Sequence, residues 1–248
     1  MTLVAPDALN APETDMDPVD AAEWSTMGDL GHRMLDDMLR FLRGIRDEPA
    51  WRRVPDEVRT RLKAPVPLDG EGAERTYQDF RERVLPFRLG NVHPRFWGRV
   101  QGTGSVVGML AELLGGAINT NTSRLASAAS HVEAQVLAWC RAMLGYAEGA
   151  SGVLVSGGSA ANLVGLMVAR HAMARRAGVD VTRDGVVSLP PSPVVYSSAE
   201  THIAVDRALS MLGLGTTALR RIPVDADYRL RVDVLEDAIR EDRAAGRW

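Results

Sequence analysis

The first third of the chain is patterned for helices. Between residues 21 and 48 the apolar positions stand three or four residues apart: Met27, Leu30, Met34, Leu35, Met38, Leu39 and Leu42. This spacing predicts an amphipathic helix, and a shorter one follows over 76–87, where Pro86 ends it. Residues 49–75 are rich in Pro and Gly and are predicted to be irregular. We therefore expect residues 23–90 to form a helical arm that wraps on something else, such as a partner subunit.

Beyond residue 90 the pattern alternates between short β-branched runs and longer helical runs. Helices are predicted over 104–118, 130–146, 160–178, 201–214 and 231–246, and strands over 152–156, 193–198 and 218–224. Strands separated by helices are typical of a parallel sheet, because two parallel strands need a crossover connection. The fold class predicted for residues 91–248 is therefore α/β.

The composition limits the partners that the chain can have. A net charge of −3 over 248 residues gives no sign of a nucleic-acid or membrane partner, and neither is expected. A single cysteine, Cys140, excludes an internal disulfide framework and predicts a reducing, cytoplasmic location. Residues 1–22 are acidic, contain proline and lack basic residues, which predicts a disordered tail rather than a leader peptide. No apolar run is long enough to predict a membrane-spanning helix.

The turn Ser156-Gly157-Gly158-Ser159 lies between a predicted strand and a predicted helix. Glycines allow close backbone approach, and the unpaired N–H groups and dipole of a helix N-terminus favour an anion such as phosphate. The alternative is an ordinary capped helix behind a tight turn. A nucleotide P-loop is excluded because it needs a lysine after the glycines. The segment "GTGSVVG", 102–108, is only a weak match to a dinucleotide-binding pattern.

Two histidines stand where chemistry is possible. His202 follows the predicted strand 193–198, and ligands gather at the carboxyl ends of parallel strands. Its imidazole can stack on a flat ligand or transfer a proton, or it can simply bond to its own turn. His93, in "NVHPRFWG", belongs either to a substrate-pocket wall or to a domain junction. His131 lacks partners at metal-ligand spacing, so no metal site is predicted.

Seven segments in this order resemble the pyridoxal-phosphate-dependent group II amino-acid decarboxylases, which include the aromatic-amino-acid, glutamate and diaminobutyrate enzymes. They are "LGHRMLDDMLRFL", "HPRFWG", "MLAELLGGAINTNTS", "HVEAQVLAWCRAMLG", "GVLVSGGSAANLVGL", "VVYSSAETHIAVDRAL" and "LRRIPVDADYRLRVDVLEDAI". The resemblance covers residues 25–247. It implies the aspartate-aminotransferase-like fold (fold type I), with 91–248 as the N-terminal portion of the cofactor-binding domain and the helical arm packed across a homodimer.

The resemblance also implies roles for particular residues. Gly157, Gly158 and Ser159 would bind the phosphate of pyridoxal 5'-phosphate, and His202 would stack on its pyridine ring as the catalytic histidine. On the substrate side, the resemblance points to His93 and to Thr103 within 101–105.

It further points, with less weight, to Asn119–Thr122 as a substrate-side loop. The substrate would be an amino acid and the reaction the loss of its carboxylate as CO2.

The family also needs a lysine that binds the cofactor covalently and an aspartate that pairs with the pyridine nitrogen. By resemblance, both belong to a later part of the family sequence than these residues match. Lys63 is the single lysine here and belongs to the arm. The expectation is therefore half a cofactor site, inactive by itself. The alternatives are a truncated or regulatory protein that needs a second chain, and a decarboxylating aldehyde synthase.

Overall fold

The computed structural model describes residues 17–120 and 127–247, in two compact units. The first unit is Met1–Thr120 and the second is Asn121–Trp248. The predicted domain boundary at residue 90 falls inside the first unit, and the division into arm and cofactor domain stays a prediction. Most of the predicted tail, 1–22, lies outside the described residues, but its last two residues already belong to the first helix.

The described part of the first unit is helical. Its helices are α1 (Ala21–Gly44), α2 (Asp56–Arg61), α3 (Gly72–Arg83) and α4 (Val106–Ile118), with 3-10 turns at Ile45–Asp47 and Leu85–Phe87. The predictions of α1 and α4 are confirmed. The predicted helix over 76–87 is present as α3, but it begins at Gly72, within the region predicted to be irregular, and ends at Arg83, so Pro86 does not end it. Helix α2 also lies in the region predicted to be irregular. Pro55 stands at its N-cap, and Asp56 and Glu57 complement the dipole of its first turn. These local signals were masked by the surrounding prolines and glycines.

Helices α1 and α3 pack through buried and polar contacts. The Asp20 carboxylate caps α1 by accepting from the N–H groups of Ala22 and Glu23 at 2.9 and 2.8 Å. The Tyr77 hydroxyl of α3 donates to the Asp37 carboxylate of α1 at 2.7 Å. This hydrogen bond is the main cause that lowers the pKa of Asp37, and burial together with the bond raises the pKa of Tyr77 to about 12.

The described part of the second unit is a small α/β assembly. It contains α5 (Ala128–Met143), α6 (Gly158–Arg176), α7 (Val181–Asp184), β1 (Val195–Ser198), α8 (Ala204–Met211), β2 (Leu219–Ile222) and α9 (Val232–Ala244), with 3-10 turns at Val186–Ser188 and Thr216–Ala218. The predicted strand–helix–strand crossover is confirmed, since β1 and β2 pair in parallel with α8 between them. The core lies around α8 and β2, where Leu209 and Ile222 are fully buried.

The predicted strand at 152–156 is wrong for this structure. Residues 151–155 form no strand, and Val153 and Leu154 are 56% and 55% exposed. A β-branched run becomes a strand only when a neighbour satisfies its backbone N–H and C=O groups, and β1 and β2 pair only with each other among the described residues. Within the described ranges no helix is long and apolar enough to cross a membrane.

Candidate active site

The N-terminus of α6 is formed by the glycine turn. Gly157 is its N-cap at φ 152°, which favours glycine, and the Ala161 N–H donates to the Gly157 carbonyl at 3.0 Å. The N–H groups of Gly158, Ser159 and Ala160 have no acceptor among the described residues. No side chain caps this helix, so the ordinary capped helix considered above is not what forms. A positive helix end with free donors is left at the turn.

The space in front of this turn is open. A Cβ atom added at Gly157 or Gly158 would meet nothing within 4 Å. By contrast, the seryl hydroxyls of Ser105 and Ser127 occupy the first-turn donors of α4 and α5. The α6 turn therefore fits a phosphate group, which needs several N–H donors and room for its oxygens.

His202 lies in the turn between the carboxyl end of β1 and the start of α8. Its Nδ1 accepts from the Ala204 N–H at 3.1 Å, and the Thr201 N–H donates to the Ser198 carbonyl at 3.0 Å. The bond at Nδ1 assigns the proton of the neutral ring to Nε2 and fixes the ring against the helix start. The side chain is exposed. An oriented imidazole with one free edge and its faces accessible is suited to stack on a flat ligand.

The helices that carry these two features pack on each other. Within the second unit, helix α6 is in contact with α8. The Arg170 guanidinium of α6 donates to the Leu212 carbonyl at the end of α8 at 2.7 Å. This bond fixes the C-terminal end of α8 beside the second half of α6. The glycine turn and His202 thus stand at the N-terminal ends of two packed helices.

A buried carboxylate of α9, that of Asp242, connects this helix to strand β1. Asp242 accepts from the Tyr196 hydroxyl at 2.7 Å and pairs with Arg220 and Arg247 at 2.9 and 3.1 Å. The Tyr196 bond is the main cause that lowers the pKa of Asp242, and desolvation followed by this bond raises the pKa of Tyr196 to about 12. No sequence pattern predicts this network, because residues 196 and 242 lie far apart in the chain and neither segment signals a partner.

The other predicted site residues lie in the first unit. His93 is buried, with 3% of its surface exposed, in a turn that leads from Gly90 to Phe96. Thr103 is exposed and precedes Ser105, the N-cap of α4. Asn119 is the left-handed C-cap of α4 at φ 41°.

Positions 121 and 122 of the predicted substrate loop lie outside the described residues. Lys63 is exposed in the turn after α2. Its place on the surface gives no sign of a covalent role.

Comparison with known proteins decides the family. Residues 55–247 match the family described as pyridoxal-dependent decarboxylase conserved domain. The chain belongs to the pyridoxal-dependent decarboxylase family. The predicted family, the decarboxylase-type α/β fold type I and the cofactor pyridoxal phosphate are confirmed.

The chain is similar to decarboxylases, and also to an aldehyde synthase, that are about twice its length. It is 31% identical over 224 residues to an aromatic-L-amino-acid decarboxylase of Bacillus atrophaeus, covering 89% of this chain and 44% of that protein. It is 28% identical over 201 residues to an L-2,4-diaminobutyrate decarboxylase of Acinetobacter baumannii, covering 77% and 39%. The structure of Oryza sativa TDC with PLP and tryptamine superposes with a TM-score of 0.77 at 26% identity, covering 93% and 50%. The chain thus spans half or less of the length of these relatives.

Proposed function

We propose that this chain carries the phosphate-binding and ring-facing part of the active site of an amino-acid decarboxylase. The observation that carries the proposal is the start of α6, where three first-turn N–H groups have no acceptor among the described residues and Ser159 is exposed. Family membership supports the phosphate of pyridoxal phosphate as that anion. The phosphate would be bound jointly by the N–H donors, the helix dipole and the Ser159 hydroxyl.

His202 is proposed as the residue that faces the pyridine ring. Its Nδ1 is already bonded to the Ala204 N–H, so the ring plane is set before any ligand arrives. The cofactor, when bound, supplies an electron sink for the electron pair that remains when CO2 leaves the amino acid. The part of His202 is to orient that ring and to hold a proton on Nε2 at the carboxyl end of β1.

The amino-acid substrate is proposed to contact the first unit near Thr103. The Thr103 side chain is exposed and can donate to a carboxylate, whereas His93 is buried. Covalent attachment of the cofactor needs a lysine, and Lys63 lies exposed on the surface after α2. We therefore propose that the 248 residues alone do not turn over amino acids and that the lysine comes from polypeptide outside them.

A homodimer is proposed through α1. One face of this helix packs on α3, while Trp24, Met27 and Met34 are exposed with Gly31 between them. Their spacing of three, four and three residues forms one apolar stripe on the helix, which suits a second copy of the arm.

The phosphate site is tested by binding, independently of turnover. In a Lys63→Arg background, which removes unspecific reaction at that amine, the dissociation constant of pyridoxal phosphate is measured by equilibrium dialysis and compared with that of pyridoxal. Pyridoxal is expected to bind more weakly, and Ser159→Ala to weaken pyridoxal phosphate about fivefold, the value of one hydrogen bond. Ser210→Ala, on the exposed side of α8, is the control.

Equal affinity for the two ligands would contradict the phosphate site. CO2 release from an amino acid by the 248-residue chain alone would contradict the proposal that its lysine lies elsewhere.

In the complete enzyme, CO2 release without oxygen consumption is expected. Oxygen consumption with aldehyde formation would identify an aldehyde synthase instead.

A further inference from the structure

We infer that His93 is a positioning residue that sets the substrate segment 102–105 through its own turn and does not contact the substrate. The inference rests on the proposed function for its catalytic meaning, but its structural part is independent of it. The observations are the burial of His93, the bond at its Nδ1, the docking of its turn and the link from that turn to Gly102.

The imidazole of His93 works inside the turn. Its Nδ1 accepts from the backbone N–H of Arg95 at 3.0 Å. The backbone N–H of His93 donates to the Gly90 carbonyl at 2.8 Å, and the His93 carbonyl accepts from the Phe96 N–H at 3.0 Å. Its Nε2 is buried and has no partner among the described residues. A nitrogen without accessible surface cannot reach a substrate unless the turn opens, so the bond at Nδ1 is the one with a function.

The turn is docked on the chain that follows α1. Gly90 has φ +92°, and a Cβ there would meet the Ala50 carbonyl oxygen at 2.0 Å, so only glycine fits. The Arg95 guanidinium donates to the Arg46 carbonyl at 3.0 Å. These contacts give the turn a fixed base at the end of the first helix.

The opposite side of the turn holds the substrate segment. The Asn91 side-chain amide donates to the Gly102 carbonyl at 2.9 Å. Three residues later the Ser105 hydroxyl accepts from the Gly108 N–H at 3.0 Å and caps α4. Thr103 therefore lies between two anchored points, and the first of them depends on the turn that His93 closes.

Two substitutions separate positioning from contact. The Oδ1 atom of an asparagine occupies nearly the position of Nδ1 and can accept from the Arg95 N–H, whereas a glutamine places its amide near the position of Nε2. His93→Asn thus keeps the turn bond and loses the outer nitrogen, and His93→Gln does the reverse. Direct substrate contact and positioning predict opposite results for this pair.

The first measurement is hydrogen exchange of the peptides over 90–105 in the 248-residue chain. His93→Gln is expected to speed exchange of the Arg95 amide and of the segment up to Ser105 about fivefold, the value of one lost hydrogen bond, and His93→Asn to leave it near wild type. Asn91→Asp, which removes the donor to Gly102, should loosen 102–105 while the Arg95 amide stays protected. His32→Gln, on the exposed face of α1, is the control.

The second measurement is steady-state kinetics of the complete holoenzyme. His93→Gln and Asn91→Asp are each expected to raise KM for the amino acid about fivefold with the affinity for pyridoxal phosphate unchanged. The separate variant His93→Asn is expected to keep the wild-type KM. The reverse order, with glutamine active and asparagine impaired, would overturn the inference in favour of contact. Unchanged exchange in His93→Gln would overturn it whatever the kinetics. If the wild-type holoenzyme releases no CO2, the proposed function fails, while exchange still decides the structural part.

Discussion

At the scale of single residues, each unit uses the same device to join distant segments. A tyrosine hydroxyl donates at 2.7 Å to a carboxylate of another element, Tyr77 to Asp37 in the first unit and Tyr196 to Asp242 in the second. Each carboxylate also pairs with arginines, so it is satisfied although little of it is exposed. Replacing the tyrosine would remove the hydroxyl donor from each carboxylate and leave it paired with its arginines alone.

These two tyrosines, whose pKa is raised by burial and then by the bond to the carboxylate, predict a loss of stability at alkaline pH. The pKa of both tyrosines is raised to about 12, above the value of about 10 in the unfolded chain. Because each phenol keeps its proton more tightly in the folded protein than in the unfolded chain, it contributes stability below pH of about 10, and this contribution is lost as pH rises through about 12. The free energy of unfolding, measured with urea at several pH values, should therefore fall across this range.

Phenylalanine variants isolate this effect. Tyr77→Phe and Tyr196→Phe should each lower the free energy of unfolding by about 1 kcal/mol at neutral pH and flatten its alkaline decline. Tyr228→Phe, whose side chain is 76% exposed, should change neither. An equally steep alkaline decline in the double phenylalanine variant would show that the two tyrosines are not its cause.

At the scale of elements, the start of α6 differs from the starts of three other helices. Helices α1, α4 and α5 begin at side-chain caps from Asp20, Ser105 and Ser127. Among the described residues no side chain caps α6 at Gly157, although a serine stands on each side of the glycines, and α2, α3, α8 and α9 also begin without a side-chain cap. A cap would occupy donors that an anion needs, so its absence leaves the first N–H groups of α6 available to a ligand.

The docked turn before His93 predicts a large effect at Gly90. In Gly90→Ala the new methyl group meets the Ala50 carbonyl at 2.0 Å in a conformation that alanine avoids. The variant should lose about 2 kcal/mol or more of stability in urea denaturation. Gly98→Ala is the matched control, because its Cβ would only touch the Phe96 ring at 3.7 Å. Equal stability of the two variants would contradict the described docking.

At the scale of the whole molecule, apolar surface is the prominent feature. No residue of α4 is buried, and Val107 and Ile118 are 77% and 70% exposed in that helix. The run 153–155 is uncovered as well. Surfaces of this kind are covered by another polypeptide or cause association. The chain is thus expected to be less stable alone than in its complete assembly.

The stripe on α1 gives the specific prediction for assembly. Trp24→Glu should shift the complete protein from dimer to monomer in sedimentation velocity, because a charge would be buried in the apolar contact. Asp29→Ala, an exposed position on the same helix, should leave the dimer intact. A dimer that survives Trp24→Glu would place the contact between copies elsewhere.

The sequence by itself determined the elements whose signals are local. The periodicity of α1, α6 and α9, the crossover from β1 to β2 and the position of the glycine turn depend on neighbours within a few turns of chain. The place of His202 after β1 followed from the same pattern. The resemblance of the motifs then identified the family, because their order and spacing reflect one fold.

Only the tertiary structure decided which of these residues have partners. The run 152–156 has β-strand composition but no ladder partner in the part of the chain that the structure describes. His93 is buried in its own turn, although its motif was compatible with either a pocket wall or a domain junction. The bonds from Asn91 to Gly102 and from Tyr196 to Asp242 join residues without any sequence signal. The physical reason is that propensity is set by a residue and its near neighbours, whereas pairing, burial and hydrogen bonding depend on which distant segments the fold brings into contact.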